Sequence, residues 1–158
     1  MNDMPPTDPA STSPLSKRRL KSWILLLGVT RAAENHLREF LYVSHKTTLP
    51  RFDVMAVLWH HREGLSMSQL SRMLLFSNGN ATAVVDRLEK DGRARRTQSA
   101  VDRRTIYVAL TDEGLARFEK LATDHEVEVD RIFANLTESD LAVLTKILRR
   151  AAGKGEPP

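Results

Sequence analysis

No cysteine occurs anywhere in the 158-residue chain, which excludes a disulfide framework, a thiolate zinc site and a thiol redox switch. The same absence fits a reducing cytoplasm. Long apolar runs are missing as well. The strongest, residues 23–29, is short beside the roughly 20 apolar residues that a membrane span needs. Lys17-Arg18-Arg19 and Lys21 precede it much as in a signal sequence, but it starts late and no persuasive cleavage site follows, so neither export nor membrane insertion is expected. There is no Gly-rich phosphate loop, no nucleophile elbow and no helix with metal-spaced His and Glu, so no enzyme activity and no cofactor are expected. His60 and His61 are adjacent and point different ways on a helix, so they do not make a metal site.

A one-signed charge balance is also lacking: 24 Lys and Arg face 20 Asp and Glu, a net +4. Total charge therefore says little about a polyanionic partner, and placement decides. Residues 15–51 hold eight bases and two acids, residues 77–110 seven and four, and residues 111–140 three and nine. The basic excess lies in an N-terminal helix and in the middle of the chain, while a later helix is acidic. One compact domain with helical arms fits this length, and a second core does not.

Residues 1–14 carry Pro5, Pro6, Pro9 and Pro14 among Ser and Thr, without apolar periodicity, and read as a disordered arm. Residues 153–158 read as a disordered tail. Over residues 16–44, Leu20, Trp23, Ile24, Leu27, Leu37, Phe40 and Leu41 recur at three and four, predicting a long amphipathic helix. Pro50 suits the first turn of a second helix, with Val54, Met55, Val57 and Leu58 inward and Gly64 ending it. Ser66 and Gln69 have capping-box spacing and open a third helix with Leu70, Met73 and Leu74 inward. Ser77 can cap a fourth helix that stops at Gly92. Its Ala81, Val85 and Leu88 share one face, leaving Asn78, Asn80, Ala83 and Arg87 mainly on another, polar and uncrowded as a helix entering the major groove requires.

Residues 93–98 and 105–110 predict a hairpin, with Ile106, Val108 and Leu110 inward and Thr105, Tyr107 and Ala109 outward. Between Arg93 and Arg104, five arginines face Asp102 alone. Arginine suits the focused negative potential of a narrow minor groove, and Asp102 can hold a neighbouring guanidinium in pose. A solvated hairpin is the duller reading, but a capped helix-turn-helix beside it favours a wing. Thr111 caps a fifth helix whose Leu115, Phe118, Ala122, His125, Val129 and Ile132 form a seam, and Thr137 a sixth with Leu141, Leu144, Leu148 and Ala151. His125 on that seam reads as a buried, hydrogen-bonded histidine. These seams outlast the needs of one core. The fold class is mainly α with a small β wing, a winged helix-turn-helix with helical arms.

Ser77, Asn78, Asn80, Thr82 and Arg87 are the candidate DNA contacts of the fourth helix. Asn can pair bidentately with adenine, and Ser, Thr and a helix N-terminus can hold phosphates. Asn78-Gly79-Asn80 can instead be simple turn chemistry. Leu70-Ser71-Arg72, the run from Val85 to Gly92, Asp102-Arg103-Arg104 and the run from Leu110 to Gly114 together resemble the MarR family of bacterial regulators. The resemblance implies a homodimeric, cytoplasmic, nucleoid-associated repressor reading a pseudopalindromic operator in double-stranded DNA. Residues 15–47 would be a dimerisation helix, 48–110 the DNA-binding region and 111–152 the C-terminal dimerisation helices. It implies that Arg104 enters the minor groove and Arg103 meets phosphate.

Members of this family are usually released from DNA by small, often aromatic and anionic, molecules. The resemblance implies a site near Trp23, Arg31, His36, Tyr42, Arg51, Asp53, Trp59 and His60, with Trp23, Arg51, Asp53, Trp59 and Arg96 as the ligand candidates. Trp23, Asp53 and Arg96 resemble the urate-responsive branch, but Val84 stands where that branch has an arginine. The segments 48–53 and 76–80 resemble members that control the catabolism of aromatic acids or their CoA thioesters. Plainer roles compete: Trp23 and Trp59 as core aromatics, and Asp53 as a dipole partner in the first turn of its helix. The rival function is a winged-helix architectural protein that binds DNA without a ligand. A thiol oxidation sensor is removed by the missing cysteine.

Overall fold

The computed structural model describes residues 13–74, 78–100, 102 and 104–153, with only the backbone of Asn78. The disordered arm and tail expected from the sequence lie almost wholly outside these residues. Nine elements follow in order: α1 (Pro14–His45), α2 (Leu49–His60), β1 (Leu65–Ser66), α3 (Met67–Leu74), α4 (Asn78–Lys90), β2 (Ala94–Gln98), β3 (Ile106–Leu110), α5 (Asp112–Ile132) and α6 (Glu138–Ala151). The chain divides into two units, Met1–His36 and Leu37–Pro158. None of the helices among the described residues is long and apolar enough to cross a membrane.

In the first unit, α1 leaves Leu20, Trp23, Ile24, Leu25 and Val29 more than half exposed. The second unit holds the core. Leu41, Val54, Met55, Leu58, Leu70, Val85, Leu88, Val108 and Leu121 are essentially inaccessible there, closed by Phe52, Leu110 and Phe118. Each such Leu or Val contributes about 1.5–3 kcal/mol over an exposed one, so this small cluster positions every reading element.

Local chemistry sets the helix ends. Thr48 leads extended into α2, with Pro50 in the first turn. Ser66 and Gln69 form the expected reciprocal cap, Ser66 N–H donating to Gln69 Oε1 at 2.9 Å and Gln69 N–H to Ser66 Oγ at 3.3 Å. Thr111 Oγ1 accepts from Gly114 N–H at 3.0 Å, and Thr137 and Asp140 cap α6 reciprocally.

Several expectations change. Helix α2 ends at His60 with His61 as its cap, so Gly64 does not terminate it. At φ +90°, Gly64 instead lies so close to Val108 that a Cβ would be 2.9 Å from the Val108 carbonyl oxygen. This close approach lets Leu65 and Ser66 pair with Val108 and Tyr107 as an extra strand, giving an antiparallel sheet of order β1-β3-β2. β3 is thus the central strand, and its base is covered on both faces: Ala109, expected outward, is buried beside Leu110. Ile106, expected inward, is 45% exposed because it lies at the far end of the strand, where the wing leaves the core. Met73 is also half exposed, while Ser71 is buried. In α5, Leu121 fills the core in addition to Phe118, and Ala122 is half-buried. Asp53 falls in the second turn of α2, not the first. His125 stacks on Phe52 at 4.3 Å and 20°, and burial pushes its pKa down.

Gly114 has no room for a side chain, because a Cβ there would land on the Arg93 carbonyl oxygen. Gly92, at φ +70°, is constrained by conformation and not by space. In urea titrations Gly114→Ala is expected to cost about 1–3 kcal/mol or more, Gly92→Ala about 1–2, and Gly92→Asn less than Gly92→Ala. Equal midpoints for Gly114→Ala and the parent would contradict this seat of α5 on the wing base.

Candidate nucleic-acid interface

Helix α4 meets the core through Ala81, Val85 and Leu88, all fully buried. The 3.6-residue period then fixes what remains. Asn80, Ala83 and Arg87 stand exposed on the outward side. Thr82 is exposed too, but it lies on the stripe that continues through Asp86 to Glu89. Ser77 lies outside the described residues, as does the side chain of Asn78, the first residue of the helix. Asn80 and Thr82 each already have a polar or electrostatic partner within the chain.

The wing rises from β2 and β3, whose register pairs Ala94 with Leu110 at the base and Gln98 with Ile106 near the tip. Its loop is organised by one carboxylate. Asp102 accepts from the backbone N–H of Arg104 at 2.9 Å and from Thr105 Oγ1 at 3.0 Å, and its own N–H donates to Ser99 Oγ at 3.2 Å. Ser99 N–H to the Thr105 carbonyl and Thr105 N–H to the Asp102 carbonyl, both 2.9 Å, close the loop. Among the described residues, Asp102 thus supports the wing through the Arg104 backbone and the Thr105 hydroxyl. The arginine that follows it by two, Arg104, is exposed. Arg103 lies outside the described residues.

Arg96 joins the wing to the helix. Its guanidinium reaches Asp86 Oδ1 at 2.6 Å and Glu89 Oε2 at 2.6 Å, while its backbone N–H donates to Glu89 Oε1 at 3.2 Å. The side chain is only 23% exposed. Burial opposes its charge, but hydrogen bonds to Asp86 and Glu89 more than compensate and raise its pKa above the usual arginine range. The clamp fixes β2 against α4. It also neutralises two carboxylates that a helix approaching a polyanion would otherwise present.

Of the other residues assigned to a ligand, Arg51, Asp53 and Trp59 are also engaged. Arg51 Nη2 pairs with Asp91 at the end of α4 and pulls that carboxyl below its usual range. Trp59 is half-buried against Phe118, donates from Nε1 to Glu119 Oε1 at 3.3 Å and carries Arg62 over its ring at 4.8 Å. Asp53 has a partner within the chain. Trp23 lies in the first unit and is 56% exposed. A groove of about 520 Å³ between α5 and α6, lined by residues such as Val127, Phe133 and Leu141, includes none of these five.

Sequence reasoning overlooked Asp86 and Glu89, although their spacing of three already put both on one stripe. Arg93 was counted with the wing and Arg117 was not singled out; that the two feel each other's charge depends on the seat of Gly114, which no local signal foretells.

The MarR family model matches residues 47–106, from the loop before α2 to the first residue of β3. MhqR of Bacillus subtilis, an HTH-type transcriptional regulator, is 26% identical over 136 residues, covering 86% of this chain and 92% of that protein. PapX of Escherichia coli, also an HTH-type transcriptional regulator, is 32% identical over 114 residues, 72% of this chain and 69% of that one. Among solved structures, Sco3205, a MarR family transcriptional regulator from Streptomyces coelicolor in complex with DNA, superposes with a TM-score of 0.78 at 25% identity. The match covers 95% of this chain and 93% of that chain. Fold and relatives are those of transcriptional regulators and not of enzymes. The chain belongs to the MarR family of DNA-binding transcriptional regulators.

Proposed function

We propose that the protein is a homodimeric, cytoplasmic repressor that reads a pseudopalindromic operator and is released by a small aromatic acid or its CoA thioester. The observation that carries the DNA-reading part is the outward face of α4, with Asn80 and Arg87, held by Arg96 beside a wing whose Arg104 is oriented by Asp102. In this reading, Asn80 meets base edges in the major groove, and Arg87 and Thr82 meet base or phosphate. Asn78 is a further candidate for a base edge, Ser77 and Arg103 meet phosphate, and Arg104 enters the minor groove. Sco3205, solved on DNA, supports the arrangement.

Residues 15–47 and 111–152 serve as dimerisation helices and residues 48–110 as the reading head. The apolar faces of α1 and α6 support this division: α6 buries no residue, and Leu141, Val143, Ile147 and Leu148 are at least 40% exposed. A dimer places two α4 helices one DNA turn apart, roughly 34–36 Å. A ligand that binds better to a different spacing loosens DNA by its difference in affinity for the two states. Trp23, Arg51, Asp53 and Trp59 stay the candidates for its contacts, while Arg96 is assigned first to the clamp.

In fluorescence anisotropy with operator DNA, Asn80→Ala is expected to cost about 1–3 kcal/mol and relax one position of the site. Arg104→Ala should weaken binding and lower the salt slope by about one. Both should remain dimeric on a sizing column. Unchanged affinity for Arg104→Ala would remove its role. Arg96→Gln is expected to weaken operator binding by about tenfold without touching DNA, because it frees the wing and bares two carboxylates. Adding Asp86→Asn and Glu89→Gln to Arg96→Gln should recover part of that loss, and no recovery would argue against charge baring. A panel of aromatic acids and CoA thioesters should lower operator affinity of the parent protein. If none does, and DNA of any sequence binds equally, the ligand-independent architectural reading takes over.

A further inference from the structure

At the turn between α4 and the wing, three arginines, from α2, from the turn itself and from α5, lie within electrostatic reach of one another, and the first of them pairs with Asp91. Arg51 comes from α2, Arg93 immediately follows Gly92, and Arg117 lies one turn beyond Gly114 in α5. Gly114 packs directly on the Arg93 carbonyl, which brings α5 onto the turn. Arg51 is paired with Asp91, and Arg117 Nη2 donates to the His45 carbonyl at 2.7 Å. The Nε atoms of Arg51, Arg93 and Arg117 are all buried without a hydrogen-bond partner. Among the described residues, Asp91 is the carboxylate paired with this group, and no ion pair is formed by Arg93 or Arg117. Burial first, and then the positive fields of Arg93 and Arg51, push the Arg117 pKa below its usual range, so the three charges sense one another.

A structural pin between α2 and α4 needs one arginine and one aspartate. Two further part-buried arginines add mutual repulsion and leave charged donors unmet, an arrangement that destabilises a fold unless an anion compensates it. DNA is not that anion. The turn lies at the C-terminal end of the 13-residue α4, roughly 20 Å from the end that would enter the groove.

We propose that Arg51, Arg93 and Arg117 bind the oxyanion group, a carboxylate or a phosphate, of a small molecule. Its oxygens compete with Asp91 for Arg51 and loosen the contact that ties the end of α4 to α2. The consequence for DNA rests on the release by a small molecule argued under the proposed function, but the binding itself does not.

The test is calorimetric titration of the full chain with benzoate and with inorganic pyrophosphate, against KCl at matched ionic strength, with thermal melts to show that each variant is folded. One of the two anions should bind beyond the KCl effect. Arg93→Gln and Arg117→Gln should each weaken it by about tenfold, and Arg104→Gln, at the wing tip, should not. Benzoate alone would identify a carboxylate site, pyrophosphate alone a phosphate site. Neither binding, or equal binding by parent, Arg93→Gln and Arg117→Gln, overturns the site. Operator affinity measured with the same anion separates the two claims. Binding lost in Arg93→Gln, with the parent's operator affinity unmoved by anion, upholds the site and defeats release through it. Release by the acid panel that persists undiminished in Arg93→Gln upholds release and defeats the site.

Discussion

A wing and a helix can read one duplex only if the distance between them is fixed, and in this chain that distance depends on Arg96. The side chain bridges Asp86 and Glu89 while the backbone of the same residue binds Glu89, so the first strand of the wing is tied to α4 at three points. An exposed ion pair alone contributes at most about 1 kcal/mol. Two guanidinium contacts and one backbone hydrogen bond at part-buried Arg96 constrain more than one pair does. The clamp also decides which charges are left to face outward. With Asp86 and Glu89 paired to Arg96, exposed bases such as Arg87 and Arg104 weigh more on the face proposed to read DNA than the small net charge of the whole chain does.

The acidic stretch in α5 is accounted for in the same way. Glu119 meets Trp59 Nε1 and, at 3.8 Å, Arg62, while Asp124 lies 3.1 Å from His45 Nε2. These acids attach α2 and the end of α1 to α5. They do not form a separate negative surface for a partner. Glu119 and Asp124 are thus spent on internal attachment, while Glu126 and Asp130 stay exposed along the groove between α5 and α6.

Much of this was legible in the sequence wherever the physics is local. Ser66 with Gln69, Thr111 and Thr137 marked helix starts because a cap involves residues three apart. Ala81, Val85 and Leu88 gave the inward face of α4 because helical period fixes it. Legibility failed where burial depends on distant neighbours. Alternation along β3 assumed one covered face. The base of the strand is instead enclosed on both, with Ala109 buried as well as Val108 and Leu110 and Gly64 packed close to it, whereas Ile106 extends past the core. The two-residue β1 was too short to carry a period of its own. Arg51 and Arg96 were chosen by resemblance as ligand contacts, and their partners Asp91, Asp86 and Glu89 could be assigned only once α2, α4 and β2 were side by side.

The turn Asp91-Gly92 is where these attachments converge. Asp91 takes Arg51 from α2, Gly92 offers its carbonyl to Thr111 Oγ1 at 2.7 Å, and Arg93 N–H returns to the Leu88 carbonyl at 2.8 Å while its own carbonyl receives Thr111 N–H at 3.1 Å. Everything that carries reading residues leaves this turn, α4 in one direction and the wing in the other. A contact altered at the wing tip changes that tip alone. A contact altered at the turn re-aims helix and wing together, because Arg96 makes them one body. On the proposed function, control of DNA binding is most economically exerted where α2, α4 and α5 meet, at the far end of α4 from the surface proposed to face the duplex.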